Sequence, residues 1–312
     1  MSLPFVGPEQ VAGRLTWKAV VDALEAGHRL PRARIGDTLL ERGDEALLSR
    51  SAWIDGLGLG VKSATVMPGN AASGLPTVQA AMLVFSDKTA TPEAVLDGSM
   101  VTDWKTAGDS LLGARLLART DSRVLTIIGA GRVAETLARG YAEIFPGLRE
   151  IRVFNRTPDR SERLVASLEA DGLPVSSAPL LPDAIASADI IAAATMSRDP
   201  VLKGAWVRPG THVDLVGGFT PEMREADDDL IAKAAIFVDC RETVLDHVGD
   251  IAIPRAAGLI EREREIPDLY DLVAGRSGRH NGYEITLFKN GGGAHLDLMT
   301  ARAILALRET GA

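Results

Sequence analysis

Three small residues, Gly129, Gly131 and Ala134, follow a short apolar run, Val124 to Ile128, at the spacing G-x-G-x-x-A. The apolar run is typical of a strand that is buried on both faces. The first glycine permits a sharp turn, the second lets the backbone approach a pyrophosphate, and the small third residue lets a helix pack closely on the strand. We therefore predict that these residues form a dinucleotide-binding fingerprint.

The flanking segments decide how much this spacing means, because a glycine turn alone is weak evidence. Residues 132–144 repeat apolar side chains at helical spacing, and a second apolar run, Ile151 to Phe154, follows within the length of one βαβ unit. The N-terminus of such a helix offers free N–H groups and a positive dipole to phosphate. Strand, helix and strand in this order favour a nucleotide site over a turn without a ligand.

The end of the second strand carries the residues that select the cofactor. An NAD site usually places Asp or Glu there to accept bonds from the ribose hydroxyls, whereas this chain has Asn155, Arg156 and Thr157. A guanidinium beside two neutral hydrogen-bonding side chains suits a 2′-phosphate, which Arg binds in a forked geometry. The sequence therefore favours NADP(H) over NAD(H). An ordinary exposed cation is the alternative for Arg156.

Lys62 is a candidate for proton transfer. It lies near the end of GLGLGVKSAT, a strand-like segment in which most neighbours are small or apolar. Desolvation lowers the pKa of a buried lysine, so such a residue can exchange a proton near neutral pH. The alternative is a surface lysine at a strand edge. Lys105, one residue after Trp104, faces either a ligand anion or solvent, and the sequence leaves both open.

The first third of the chain is predicted to be α+β with a mixed or antiparallel sheet. Residues 8–28 are largely helical in pattern, and short strands with Gly and Asp breaks at hairpin spacing fill residues 32–65. Thr102 is predicted to cap a helix over residues 103–119.

After residue 157, helical and apolar segments continue to alternate, which predicts an α/β protein with a doubly wound parallel sheet. Four apolar runs, ADIIAAAT, HVDLV, AIFV and YEITLF, are the predicted later strands. We place this Rossmann-like domain at residues 120–285. Residues 1–119 and the tail 286–312 form the α+β domain, and the chemistry is expected in a cleft between the two.

The bulk composition restricts the class of protein. The 312 residues are 46% hydrophobic and 24% charged, as expected of a soluble globular protein with two domains. A formal charge of −8 argues against nucleic acid or an anionic membrane as a partner. The single cysteine, Cys240, excludes an internal disulfide, and without a secretion signal we expect a cytoplasmic protein. Five scattered histidines predict no metal site.

Long segments of the chain resemble the ornithine cyclodeaminase/mu-crystallin family, in collinear order over roughly residues 30–305. The segments that carry the resemblance are GVKSATVMPGNAASGLPTVQAAMLVFSDKTATPEAVLDGSMVTDWKTAGDSLLGARLLAR, VLTIIGAGRVAETLA, ADIIAAAT, VDLVGGFTPEMRE and TLFKNGGGAHLDLMTAR. The resemblance implies a homodimer joined through the first domain and a bound nicotinamide cofactor. It also implies a substrate that is a small amino acid, imino acid or cyclic imine.

The resemblance assigns roles position by position. Lys62 matches the catalytic lysine of the family, and Arg34 matches an arginine that binds the substrate carboxylate, with Arg32 as a rival. The substrate-binding residues expected in this way are Arg34, Lys62, Lys105, Phe219 and Gly292. The cofactor-binding residues expected from the fingerprint and the resemblance are Thr77, Lys105, Gly129, Gly131, Arg132, Val133, Ala134, Asn155, Arg156, Thr157, Thr195, Val216, Gly217, Gly218 and Asn290.

Two positions depart from the family pattern. Lys105 stands where the family usually has arginine, and lysine keeps the charge but loses bidentate carboxylate binding. Phe219 stands where cyclodeaminases carry an aspartate that handles protons during amine release and ring closure. A phenyl ring cannot exchange a proton and would instead fill or dry the pocket.

We therefore expect an NAD(P)H-dependent reductase of a small cyclic imine carboxylate, such as Δ1-pyrroline-2-carboxylate to proline. Imine reduction needs only a hydride donor, an anion clamp and a proton source. Lys62 would orient the carboxylate and polarise or protonate the imine, while Arg34 and Lys105 hold the carboxylate. The alternatives are an ornithine cyclodeaminase in which Asp214 or Glu222 replaces the missing acid, an alanine dehydrogenase, and a non-catalytic NADP(H)-binding protein.

Overall fold

A computed structural model describes residues 3–309 of the chain. They divide into two compact units: the first ends at Lys105 and resumes at Gly293, and the second is Thr106–Gly292. The boundaries predicted from sequence, 119/120 and 285/286, lie elsewhere because one uninterrupted helix, Gly98–Leu117, runs through the first division. That the α+β domain binds the substrate and that the Rossmann-like domain binds the dinucleotide stays a prediction. No helix in the described range is long and apolar enough to cross a membrane.

The first unit contains one mixed sheet. Its strands are β1 (Phe5–Val6), β2 (Arg34–Arg42), β3 (Glu45–Ile54), β4 (Gly58–Val66), β5 (Val78–Phe85) and β6 (Pro92–Asp97). They lie in the order β1-β6-β5-β4-β3-β2, antiparallel except for the parallel pair β1 and β6. Lys62 on β4 shares a face with its cross-strand partners Arg50 and Met82, and Met82 is buried. Lys62 therefore lies on the covered face of the sheet.

Helix α10 (Ala294–Glu309) covers that face, and helix α1 (Trp17–His28) packs against α10. Thr16 caps α1 by accepting a hydrogen bond from Ala19 N (3.1 Å). Two glycines let α10 approach closely, because a Cβ at Gly27 would collide with Met299 and a Cβ at Gly60 would lie 3.2 Å from Leu298. This close approach brings the first turn of α10 against the middle of β4.

The start of α2 (Gly98–Leu117) differs from the expectation. Asp97 Oδ1 accepts a hydrogen bond from Met100 N (2.7 Å), so the helix begins at Gly98 and Thr102 lies one turn inside it. The Thr102 hydroxyl donates to Gly98 O (2.8 Å). The predicted cap at Thr102 was wrong because Asp97, an equally good capping residue, precedes it.

The second unit contains an all-parallel sheet. The strands in its described range are β7 (Val124–Ile128), β8 (Glu150–Phe154), β9 (Val175–Ser177), β10 (Ile190–Ala193), β11 (His212–Leu215), β12 (Ala235–Val238) and β13 (Thr286–Lys289). Their order is β12-β13-β11-β10-β7-β8-β9. The strand order reverses between β7 and β10, which is the switch point where doubly wound sheets bind ligands. The predicted Rossmann-like fold is confirmed.

Helices flank this sheet as connections between its strands. They are α3 (Arg132–Ile144), α4 (Pro158–Ala170), α5 (Leu181–Ala186), α6 (Asp228–Lys233), α7 (Arg241–Val244), α8 (Gly249–Ala256) and α9 (Leu269–Val273). The four residues of β10 are all fully buried, as expected of a central strand covered on both faces.

Asp189 anchors the amino-terminal ends of the two strands at the switch point. Its Oδ2 accepts hydrogen bonds from Arg123 N (2.7 Å) and Val124 N (3.1 Å) at the start of β7. Its Oδ1 accepts from the guanidinium groups of Arg119 (2.6 Å) and Arg208 (2.5 Å). Because Asp189 directly precedes β10, these bonds fix β7 and β10 in register and so align the turns at their opposite ends.

Candidate functional site

The turn after β7 has backbone geometry that suits a phosphate. Gly129 has a φ of +121°, and a Cβ there would lie 2.5 Å from the carbonyl oxygen of Ala194. Gly131 is the N-cap of α3 and supplies no side-chain cap, and no atom lies within 4 Å of a Cβ placed on it. Ala134 is fully buried. These residues fit a pyrophosphate, which accepts hydrogen bonds from free N–H groups at a helix N-terminus.

Polar side chains surround the end of β8. Asn155 Nδ2 donates to the carbonyl oxygen of Thr157 (2.9 Å), which fixes the turn ahead of α4. Arg156 and Thr157 are exposed, and so is Arg132 at the start of α3, whereas Val133 is half-buried. The rim beside the glycine turn therefore carries two exposed guanidinium groups.

Glu225 joins the loops that follow β10 and β11, and it is fully buried. Its Oε1 accepts hydrogen bonds from the N–H and the hydroxyl of Thr195, both at 2.7 Å. Its Oε2 accepts from the N–H groups of Gly217 (2.8 Å) and Gly218 (3.4 Å). Gly217 has to be glycine, because a Cβ would lie 1.8 Å from Thr195 O. Val216, which precedes it, is buried.

Sequence reasoning identified the loops that Glu225 joins but missed Glu225 itself. The residue is part of VDLVGGFTPEMRE, which the resemblance included. A glutamate between Arg224 and a run of aspartates looks like a surface residue in sequence. The available signal was its distance of eight residues from the Gly217 turn, which is short enough for the chain to fold back.

A second buried carboxylate holds the loop after β13. Asp239 Oδ2 accepts hydrogen bonds from the N–H groups of Gly291 (3.0 Å) and Gly292 (2.5 Å). Asn290 Nδ2 donates to Thr106 O and to Ser110 Oγ, both at 2.9 Å, and Asn290 is 3% exposed. The amide of Asn290 is therefore used inside the unit, where it ties the loop to α2.

One buried cation lies among these carboxylates. Lys289 Nζ is 3.2 Å from Asp250 Oδ2, and both residues are fully buried. Asp250 Oδ1 in turn accepts a hydrogen bond from Glu225 N (2.7 Å). Burial raises the pKa of Glu225 to about 7, against the lowering effect of the Lys289 charge and of the hydrogen bonds from Thr195. These contacts hold the loops after β10, β11 and β13 in fixed positions.

Asp214 and Glu222, the two acids considered as replacements at the Phe219 position, are both engaged elsewhere. Asp214 lies fully buried inside β11, where it accepts hydrogen bonds from Ser110 Oγ (3.0 Å) and Tyr141 OH (2.9 Å). Glu222 is exposed and accepts a hydrogen bond from the Thr220 hydroxyl (2.8 Å). Phe219 itself is 59% exposed.

In the first unit, Lys62 is 7% exposed and makes two close contacts. Its Nζ lies 2.6 Å from Asp297 Oδ1 on α10 and 3.1 Å from Thr102 Oγ1 on α2. Sequence reasoning missed Asp297, although the segment that contains it, TLFKNGGGAHLDLMTAR, carried part of the resemblance. The surface-lysine alternative for Lys62 is excluded by its burial.

The space beside Lys62 is positively charged. His295 and His28 are buried, and their rings meet edge to face with centroids 5.5 Å apart. Burial holds the pKa of His295 well below its usual value, and the charges of His28, Lys105, Arg32 and Arg50 lower that pKa further. Lys105 is 6% exposed, so the solvent-facing alternative for it is wrong. A neutral imidazole among these cations marks a region that suits a carboxylate.

Arg34 lies apart from this group. It stands three residues before Asp37, the β2 partner of Arg50, so the pleat directs it to the opposite face of the sheet from Lys62. Its side chain is 76% exposed, and its guanidinium lies 6.0 Å from the centroid of the Trp53 ring. The charge of its rival Arg32, by contrast, lowers the pKa of His295. Thr77 is exposed ahead of β5.

Comparison with known proteins identifies the chain's relatives. The model of the ornithine cyclodeaminase/mu-crystallin family matches residues 51–309. The chain belongs to this family. The resemblance seen in the sequence is thereby confirmed.

Three family members illustrate the likeness. Δ1-pyrroline-2-carboxylate reductase of Paracoccus denitrificans (strain Pd 1222) is 52% identical over 301 residues, which cover 96% of this chain and 95% of the relative. The structure of Thermococcus litoralis Δ1-pyrroline-2-carboxylate reductase in complex with NADH and L-proline superposes with a TM-score of 0.90 at 30% identity, and covers 99% of both chains. An archaeal alanine dehydrogenase dimer with bound NAD gives a TM-score of 0.90 at 28% identity, covering 99% of this chain and 97% of that one.

The raised pKa of Asp214 predicts a pH-dependent stability. Burial raises this pKa from 3.8 to about 7, so between these values the folded state keeps a proton that the unfolded state has lost. The free energy of unfolding of the wild type should therefore fall as pH rises, by about 1.4 kcal/mol per pH unit from this group. Asp214→Asn removes the titration, so relative to wild type it should gain roughly 2 to 3 kcal/mol between pH 5 and pH 7.

Urea unfolding followed by circular dichroism at both pH values would measure this difference. The control is Asp229→Asn, which changes a carboxylate on the surface that pairs with Lys233. Equal pH dependence in wild type and Asp214→Asn would show that Asp214 is ionised in the folded protein across this range.

Proposed function

We propose that the protein is an NAD(P)H-dependent reductase of a small cyclic imine carboxylate, and that Δ1-pyrroline-2-carboxylate, reduced to proline, is its substrate. The observation that carries this proposal is the buried Lys62, held by Asp297 and Thr102 beside the positively charged space around His295. The 52% identity to a Δ1-pyrroline-2-carboxylate reductase over nearly the whole chain supports the choice of substrate.

The residues of the first unit suit an anionic substrate with a basic nitrogen. Lys105 and Arg32 supply positive charge for the carboxylate, and the Lys62 ammonium can donate a hydrogen bond to the imine and then a proton. When bound, the nicotinamide supplies the hydride for the carbon of the C=N bond. Because a proton on the imine nitrogen makes the carbon of the C=N bond more electrophilic, reduction should be faster at slightly acidic pH.

The position of Phe219 favours reduction over cyclodeamination. Ornithine cyclisation needs a group that exchanges protons during amine release, and the phenyl ring cannot do so. Asp214 is enclosed by Ser110 and Tyr141, and Glu222 is exposed and bonded to Thr220. Neither acid is placed like a substitute for the missing carboxylate, whereas imine reduction does not require it.

For the cofactor, we propose a preference for NADP(H) within a nicotinamide dinucleotide site. The glycine turn and the N-terminus of α3 suit the pyrophosphate that both cofactors share. Arg156 and Thr157 are exposed at the end of β8, where the 2′-phosphate of NADPH would lie. The two related structures contain NADH and NAD, so the preference rests on Asn155, Arg156 and Thr157 of this chain.

We also propose that the chain forms a homodimer through the outer face of the first sheet. The face opposite Lys62 exposes Leu40, Leu47 and Trp53, and a cavity of about 430 Å³ opens beside Trp53 and Phe85. An apolar face of this kind is typical of a protein–protein contact.

Light scattering should give the mass of two chains, and Trp53→Glu combined with Leu47→Glu should reduce it to the mass of one chain. A single-chain mass for the wild type would contradict the proposal.

The activity is tested by NADPH oxidation with Δ1-pyrroline-2-carboxylate, beside ornithine plus NAD⁺ assayed for ammonia. Oxidation that depends on the imine, with no ammonia from ornithine, is the expected result.

Lys62→Met should reduce turnover by about 10²-fold or more, because it removes the proton donor. NADPH binding, measured by fluorescence titration, should stay unchanged. Lys18→Met, which changes an exposed lysine of the same unit, is the control. Full activity of Lys62→Met would refute the role of Lys62, and ammonia from ornithine would favour the cyclodeaminase.

The cofactor preference is tested by Arg156→Ala. Loss of a charge-assisted hydrogen bond to the 2′-phosphate costs about 1.5 to 3 kcal/mol, so the Kd of NADPH should rise about 10- to 100-fold while that of NADH barely changes. The control is Arg163→Ala, which removes a different exposed arginine, located on α4. Equal effects of Arg156→Ala on both cofactors would reject a 2′-phosphate contact.

A further inference from the structure

Lys62 and Asp297 form an enclosed ion pair in the first unit. Its Nζ to Oδ1 distance is 2.6 Å, and the side chains are 8% and 1% exposed. The pair Lys18–Asp22 in the same unit has the same distance but side chains that are 73% and 46% exposed. A buried pair pays a large desolvation cost and adds little stability, so stability alone does not account for the Lys62 pair.

The hydrogen bonds of Lys62 leave one of its protons available. An ammonium group has three N–H donors, and two of them meet Asp297 Oδ1 and Thr102 Oγ1. The Thr102 hydroxyl donates its own hydrogen to Gly98 O, so it turns a lone pair toward Lys62. Within the described residues, the third N–H of Lys62 meets no acceptor, and it is therefore free for a ligand.

Positively charged groups lie on the elements next to the pair, so the carboxylate matters for the charge of Lys62. The charged and titratable groups on the neighbouring elements are Asp37 on β2, Arg50 on β3, Lys105 on α2, His28 on α1, His295 on α10 and Arg32 ahead of β2. Asp37 already pairs with Arg50 (2.9 Å). Without Asp297, the ammonium of Lys62 would be buried among like charges with no counter-charge of its own.

We propose that Asp297 is a positioning residue that keeps Lys62 in its ammonium form and directs its remaining N–H toward the imine nitrogen. This inference rests on the proposed reduction. There, hydride adds to the carbon of the C=N bond, the π electrons pass to nitrogen, and Lys62 gives that nitrogen a proton. Lys62 is left as a neutral amine and takes a proton from water before the next turnover. The charge of Asp297 is the same before and after the reaction.

Two substitutions separate the effect of the negative charge of Asp297 from the effect of the hydrogen bonds that orient Lys62. Asp297→Asn keeps an oxygen that can accept from Lys62 but removes the negative charge. Thr102→Val keeps the charge and removes the second acceptor. Asp297→Glu restores the charge on a longer side chain, and Asp22→Asn breaks the exposed pair as the matched control.

For Asp297→Asn we expect kcat to fall by about 10²-fold and the alkaline limb of the kcat–pH profile to move to lower pH, because the ammonium loses its proton more readily. NADPH binding should stay unchanged. Asp297→Glu should recover part of kcat and return the limb toward its original position. Thr102→Val should lower kcat without moving the limb, and Asp22→Asn should change neither. An unmoved limb in Asp297→Asn, or equal losses in the Asn and Glu variants, would overturn the inference.

A labelling experiment that needs no substrate tests the same inference independently. Cyanate carbamylates neutral amines, so the rate at Lys62 relative to Lys18, followed by peptide mass spectrometry, reports how much of Lys62 is unprotonated. Asp297→Asn should raise this ratio at least tenfold at a fixed pH, and Asp22→Asn should not raise it. An unchanged ratio would reject the inference even if the enzyme reduces the imine. An inactive wild type with a raised ratio would instead count against the proposed function alone.

Discussion

The loops after β10, β11 and β13 cannot satisfy all their backbone N–H groups with secondary structure, and the second unit meets this constraint with buried carboxylates. Glu225 accepts from Thr195, Gly217 and Gly218, and Asp239 accepts from Gly291 and Gly292. An unpaired buried N–H is costly. Glycines can occupy these tightly packed turns because carboxylates from other segments accept hydrogen bonds from their N–H groups. The buried ammonium of Lys289, which lies 3.2 Å from Asp250 Oδ2, then limits the cost of burying these carboxylates.

The first unit uses a buried charge for a different purpose. In the second unit carboxylates fix the backbone, whereas in the first unit a carboxylate fixes the side chain of a buried lysine. In both places the low dielectric of the interior makes the loss of a partner expensive. This cost keeps Lys62 and the loops after β10 and β11 in defined positions.

Features that depend on neighbouring residues were predictable from the sequence, and features that depend on distant ones were not. The βαβ unit around Gly129 and the burial of Lys62 follow from local patterns of apolar and small residues. Asp297 is 235 residues from Lys62, and in sequence it looks like one more polar residue at the start of a helix. The face on which Arg34 lies depends on strand register, where a shift of one residue reverses the answer. The start of α2 depended on which of two capping residues, Asp97 or Thr102, the chain uses.

The path of the chain through the two units has a consequence for how the protein is made. The second unit is one continuous segment, while the first is closed by α10, which reaches α1 and strands β2 to β4 from the far end of the sequence. As synthesis proceeds, the Rossmann-like unit emerges whole before α10 does, and domains generally fold in the order of their synthesis. Until α10 docks, the sheet that carries Lys62 has neither its cover nor its counter-ion. A nascent chain thus acquires its Rossmann-like fold first and its buried lysine pair last.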